Sequence, residues 1–173
     1  MSAEKRPTLF EPIETSGPLI GDPDELVFIV VGKPEPAGSK TAFRTAAGTV
    51  GVRDANKASK PWKRRVADVA AEAMAGRELL VGALEARMTF YIPRPKTHYR
   101  TDGRTLNAVG ERNARPTTRP DVLKLARAVE DALTGVIWRD DAQVVREVLE
   151  KHYGAPVRCV VEIRHHHPDG GSA

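Results

Sequence analysis

Three aspartates raise the first chemical question in this sequence. In the stretch RPDVLKLARAVEDALTGVIWRDDAQVV (119–145), Asp121 opens a helix-like segment, and the adjacent pair Asp140 and Asp141 follows it. Neighbouring carboxylates repel each other, and a simple turn needs only one Asp. A divalent cation converts that repulsion into attraction, because Mg²⁺ is typically held by one or two carboxylates together with water and phosphate oxygens. Such an ion supplies what phosphodiester hydrolysis needs, an activated water and charge neutralisation in the transition state. The structural alternative is a capped helix followed by a solvated turn. An acid at a helix start is favoured by unpaired N–H groups and the dipole, and taken alone that reading accounts for Asp121. Asp131 reads as a solvated helix residue on the same logic.

The basic residues shift the balance. The whole chain carries +4, while residues 1–25 hold Lys5 and Arg6 against six acids, so the remainder carries +8. Lys40, Arg44, Arg53, Lys57, Lys60, Lys63, Arg64 and Arg65 crowd one region, opposed only by Asp54. A second group, Arg94, Lys96, Arg100, Arg104, Arg112, Arg115 and Arg119, faces only Asp102 and Glu111. A charge run alone is usually a solvated face. Cations on connecting segments nonetheless suit phosphate backbones, because neutralising phosphates releases condensed counterions. From these groups Lys40, Arg44, Lys60, Arg64, Arg65, Lys96, Arg100 and Arg119, with Lys124, are the candidate DNA contacts. Acids for a metal between bases for a strand read as a nuclease. The histidines His165, His166 and His167 alternate faces if they end a strand, which argues against a shared ion.

These groups need elements to hold them. ELVFIVVGK and LEARMTFYIP read as strands, TAFRT and GTVGVRD as a short hairpin, and Ser59 to about Ala75 as a helix with Ser59 at its N-cap and Pro61 in its first turn. Residues 94–118 form a long connection of the functional or disordered kind. In the segment after Asp121, Leu125, Ala126, Val129 and Leu133 cluster about Val122 as an apolar stripe, and Lys124, Arg127 and Glu130 point away. QVVREVLEKHYG and APVRCVVEIRHH follow as two strands, expected to pair antiparallel. The element order predicts an α+β fold, a mixed sheet with two main helices packed on it. The expected organisation is a flexible arm over 1–24, one domain over 25–167 and a flexible tail over 168–173. The single Cys159 excludes an intramolecular disulfide, and with no membrane span or signal peptide a soluble, intracellular protein is expected.

The acidic stretch also resembles the signature of the RusA family of Holliday junction resolvases, approximately PDxDNLxKxxxDALxG…DDxQV. The likeness extends to GKPEPAGSKTAFR, to YIPRPKTHYR and to the EK-Y-G residues at 150–154, all in matching order. It implies a homodimeric, Mg²⁺-dependent endonuclease, with Mn²⁺ as a substitute, that makes paired nicks in branched double-stranded DNA during recombination and repair. Many members are encoded by phages and prophages, so a host cytoplasm is the implied setting. Carried over by position, Asp121 and Asp141, assisted by Asp140, take the places of catalytic, metal-holding acids, and Arg127 takes the place of a functional Lys. Two positions depart: Leu123 and Lys124 stand where the signature has Asp and Asn. The second reading of the same residues is a branched-DNA-binding protein with little or no catalysis, linked to phage DNA processing or packaging.

Overall fold

A computed structural model describes residues 17–19, 25–38, 40–45, 48–54 and 56–167. The tail expected over 168–173, and most of the arm expected over 1–24, lie outside these. Gly17–Leu19, inside the presumed arm, forms a strand, β1, paired antiparallel with β2 (Glu25–Val31). The hairpin read from the sequence is present as β3 (Lys40–Arg44) and β4 (Val50–Asp54), a separate two-stranded sheet. Helix α1 (Ser59–Met74) leads to β5 (Leu84–Ile92); a short α2 (Ala108–Arg112) and the longer α3 (Val122–Leu133) lead to β6 (Val144–Tyr153) and β7 (Arg158–His165).

The main sheet has the order β1-β2-β7-β5-β6, and β5 runs parallel to β6 while β7 is antiparallel to both of its neighbours. The expected β6–β7 hairpin is therefore absent. Burial gives the reason. In β7, Cys159, Val160, Val161 and Ile163 are all buried, which demands a strand on either side and material on both faces. In β6 polar residues interrupt the apolar ones, as suits an edge. The chain thus crosses from β5 through α3 back to β6, a βαβ unit that lays α3 antiparallel to both strands.

Side chains alternate across the sheet. Leu26, Phe28 and Val30, Leu84, Ala86, Met88 and Phe90, and Cys159, Val161 and Ile163 join Trp62, Val66, Leu125, Val129 and Leu133 in one core beneath α1 and α3. The opposite face carries Glu85, Arg87, Glu162 and Arg164, and neither long helix. Ser59, expected as the α1 N-cap, lies inside the helix: Ala58 is the cap, and Asn56 Oδ1 accepts from its N–H. No helix among the described residues is long and apolar enough to cross a membrane.

The long 94–118 connection is organised from within. Arg94 donates to the carbonyls of Gly110 (2.9 Å) and Asn113 (3.1 Å) and lies over the Tyr153 ring. Asn107 caps α2 by accepting from Val109 and Gly110, and its amide donates to the carbonyls of Thr97 and Tyr99. A side chain at Gly110 would collide with the His98 carbonyl, so glycine allows α2 to close on the 3₁₀ turn Lys96–His98.

Candidate active site

The turn that presents the aspartate pair is built by apolar anchoring. After α3, Gly135 takes a left-handed φ of 80°, which reverses the chain and returns Ile137 and Trp138 to the core, both fully buried. The next residues must emerge at the surface. Asp140 then caps the 3₁₀ turn Asp141–Gln143, accepting from Ala142 N–H at 2.9 Å, while Gln143 Oε1 accepts from the N–H groups of Arg139 and Asp140. The Gln143 amide donates to Leu80 O, tying this turn to the approach of β5. Asp140 is thus a turn-former. Asp141 is exposed, and its carboxylate takes no part in that capping.

Asp121 occupies the α3 N-cap position, yet its side chain makes no capping hydrogen bond. Among the described residues its one ion-pair partner is the Lys124 ammonium at 3.6 Å, and both side chains are 58% exposed. Capping therefore does not account for this acid. The segment before it is held by Lys151 of β6, whose Nζ donates to Thr118 O (2.7 Å) and Pro120 O (2.8 Å). Lys151 pairs with Phe90 near the far end of the β5–β6 ladder, whereas Val144, three residues past Asp141, pairs with Leu84 at its beginning. Asp121 and Asp141 consequently stand at opposite ends of α3, whose 12 residues span about 18 Å at 1.5 Å per residue. The fold of the chain does not bring them together.

What it brings to Asp141 is Glu130. Its position on the wheel suggests a solvated residue, but it is half-buried at the seam between α3 and β6, against Glu147. Burial, then the charge of and hydrogen bond to Glu147, then the charges of Asp141 and Asp131, push the Glu130 carboxyl up to about 7. Glu147 reaches this seam because it pairs with Ala86 on the helix-bearing face of β6. Only the parallel β5–β6 pairing aligns α3 with that face, so local patterning gives no hint of the contact. Among the described residues, no three His, Cys, Asp or Glu side chains of one protomer converge as an ion-binding set. The donors nonetheless suit a hard divalent cation: they are carboxylate oxygens that repel one another unless a proton or a cation intervenes.

Leu123, Arg127, Glu130 and Thr134 share the outer stripe of α3, and Leu123 is 69% exposed. Arg127 is exposed one turn before the acids. Of the remaining candidate DNA contacts, Lys60 and Arg64 on α1, Lys96, Arg100 and Arg119 in the connection, Lys124 on α3 and Arg44 at the end of β3 are all exposed. The Lys40 side chain lies outside what is described. Arg65 is exposed but partly engaged, donating to Val31 O at 3.1 Å. Lys63 is committed to Asp131 at 2.6 Å, joining α1 to α3.

An α+β domain with a basic exterior and carboxylates in its βαβ crossover has the makings of a nucleic-acid hydrolase, and comparison with known proteins makes that class specific. The family model described as Endodeoxyribonuclease RusA matches residues 32–164. The chain is 34% identical over 143 residues, 82% of its own length and 96% of the other's, to the uncharacterized protein YqaN of Bacillus subtilis (strain 168). The chain belongs to the RusA family of endodeoxyribonucleases.

Proposed function

We propose that the protein is a Mg²⁺-dependent endonuclease that cuts four-way DNA junctions as a homodimer, with each active site drawn from two protomers. One observation carries this reading: the family's two acidic motifs lie at opposite ends of α3, with Glu130 and Glu147 beside the second of them. A two-fold axis crossing α3 near Arg127 sets two copies of the helix antiparallel. That arrangement lays Asp121 of one copy beside Asp141, Glu130 and Glu147 of the other, twice over. The charge pattern of the helix favours it, because Lys124 and Arg127 in its first half then face Glu130 of the second copy.

In this reading the metal is held only in the dimer: Asp141 of one protomer, with Glu130 and Glu147 beside it, forms an incomplete set that Asp121 of the other protomer completes. Glu130 and Glu147 compensate for the acid absent at Leu123. Once bound, the ion would supply Lewis-acid polarisation of the phosphodiester and activation of the attacking water. The chain's own groups do the rest. Arg127 donates to the non-bridging oxygens of the scissile phosphate, where charge grows in the transition state. Asp140 and Gln143 fix the turn that aims Asp141. Lys60, Arg64, Lys96, Arg100 and Arg119 neutralise flanking phosphates and set the register of the DNA. Two sites related by a two-fold suit a junction with two equivalent scissile strands. The resemblance to phage and prophage resolvases fits work on branched DNA in a host cytoplasm.

Purified protein incubated with a synthetic four-way junction, with and without Mg²⁺ or Mn²⁺, tests the proposal. Paired nicks that require metal support it. Retardation of the junction without cleavage in either metal favours the junction-binding alternative.

A further inference from the structure

The helix-free face of the sheet holds a charged hollow that this chemistry does not use. Glu85 of β5 is buried, with a side chain only 6% exposed, and it accepts from Arg146 of β6 and Arg164 of β7, each at 3.0 Å. Burial alone would raise the Glu85 carboxyl, but the hydrogen bonds and charges of Arg164 and Arg146 outweigh it and hold the group below its ordinary range. The carboxylate therefore acts as a fixed anchor for two guanidinium groups. Each guanidinium carries five N–H donors in a rigid plane. Among the described residues neither has another hydrogen-bond acceptor, and both side chains are about half exposed, at 54% and 52%.

These groups line a concavity of about 560 Å³ together with His165, His166 and His167, a size typical of small-ligand sites. Among the described residues His166 Nδ1 is buried without a hydrogen-bond partner, since Glu85 at 3.9 Å is beyond reach. Next to the hollow, towards β2, Glu25 and Glu162 set a negative boundary, and Glu162 is paired with Arg87 at 3.7 Å. The donor excess thus lies at the β6 edge of the sheet.

We propose that this hollow binds a phosphate group. Two guanidiniums braced by one buried carboxylate form a donor-rich, preorganised cradle matched to a tetrahedral oxyanion, and a carboxylate shared between two arginines leaves one positive charge for it. The source is a DNA backbone phosphate or a free phosphate monoester. Placement favours the backbone. Arg146 and Glu147 are consecutive on an edge strand and point to opposite faces, so a DNA strand passing over β6 meets the acids on one side and this cradle on the other. Only that choice of source rests on the nuclease reading; the phosphate chemistry does not.

The test needs no cleavage. Inorganic phosphate is titrated into the full chain, with chloride at equal ionic strength as the control, and the imidazole NMR signals of His165–His167 are followed. Junction affinity is measured separately against salt. The expected result is saturable shifts with phosphate alone, weakened on the order of tenfold in Arg146→Gln. Because that substitution leaves Glu85 one partner short, Arg146→Lys, which keeps the charge and loses the fork, serves as the second variant. A salt slope reduced by about 1 in Arg146→Gln assigns the site to DNA; an unchanged slope with phosphate binding intact in wild type assigns it to a phosphate monoester. The proposal is overturned if wild type shows no saturable shift, whatever the slope does, or if both Arg146 variants bind phosphate as wild type does.

Discussion

Among individual residues, the acids divide by whether the fold already employs them. Asp140 closes a capping box through one carboxylate oxygen, and that pattern, Asp followed three residues later by Gln, is legible in DDAQ without a structure. Asp141 is left free. We expect Asp141→Asn to abolish cleavage while preserving junction affinity, measured by nicking and by retardation; nicking at the wild-type rate would remove it from the metal site. From the sequence Glu147 is the freer stand-in for the acid missing at Leu123, and Glu130, seven residues along the helix, is about 10 Å from that place; their meeting is not legible, because only the β5–β6 crossover brings Glu147 alongside α3. With its carboxyl raised to about 7, Glu130 is protonated in the folded protein at pH values where the unfolded chain has lost that proton. Folded metal-free protein then binds more protons than unfolded chain between about pH 4.5 and 7, so stability is greatest below that window and falls as pH rises through it. Chemical denaturation should show this decline in wild type, and Glu130→Gln should flatten it; an equal decline in the variant would place its cause elsewhere. Leu123→Asp should cost the fold little, because the side chain is 69% exposed, and should lower the Mg²⁺ concentration needed for cleavage. A folded, dimeric variant with unchanged metal dependence would show that Glu130 and Glu147 already complete the ligand set.

At the level of elements, spans were easier to read than pairings. Periodicity identifies the α1 and α3 cores and the β2 and β5 strands, because each buries one face or both. The β6–β7 pairing failed because proximity in sequence suggests a hairpin, whereas the apolar run VRCVVEI needs the interior of the sheet and VVREVLEK tolerates its edge. The 94–118 connection reads as a basic loop, and its charges prove unequal: Arg94 knits the loop to α2 and Tyr153, while Lys96 and Arg100 face solvent. The same distinction divides neighbours on α1. Among the described residues Arg64 is exposed with no hydrogen-bond or ion-pair partner, whereas Arg65 packs over Gly32 and donates to Val31 O. Arg64→Ala should therefore reduce the slope of log affinity against log salt by about 1 and leave Tm unchanged. Arg65→Ala should lower Tm, with a smaller effect on the slope. Equal slopes for Arg64→Ala and wild type would move the DNA surface away from this helix.

Across the whole molecule, the basic exterior and the α+β architecture follow from composition and element order, whereas the separation of the two acidic motifs is visible only in the fold. Its two acidic motifs are adjacent in a linear signature and about 18 Å apart along α3. A helix that is basic in its first half and acidic in its second is complementary to its own antiparallel copy, and in the proposed dimer that pairing would turn the separation into two composite sites. This claim has a direct test. Asp121→Asn and Asp141→Asn proteins, each inactive alone, are mixed under conditions that exchange subunits and are then assayed on a four-way junction with Mg²⁺. In a shared-site dimer the heterodimer collects both substitutions in one site and leaves the other with Asp121 and Asp141 intact. Nicking is expected to return on mixing, in one strand per binding event rather than two. If each protomer carries its own complete site, every site in the heterodimer contains one substitution. A mixture that exchanges subunits and stays inactive would contradict the account.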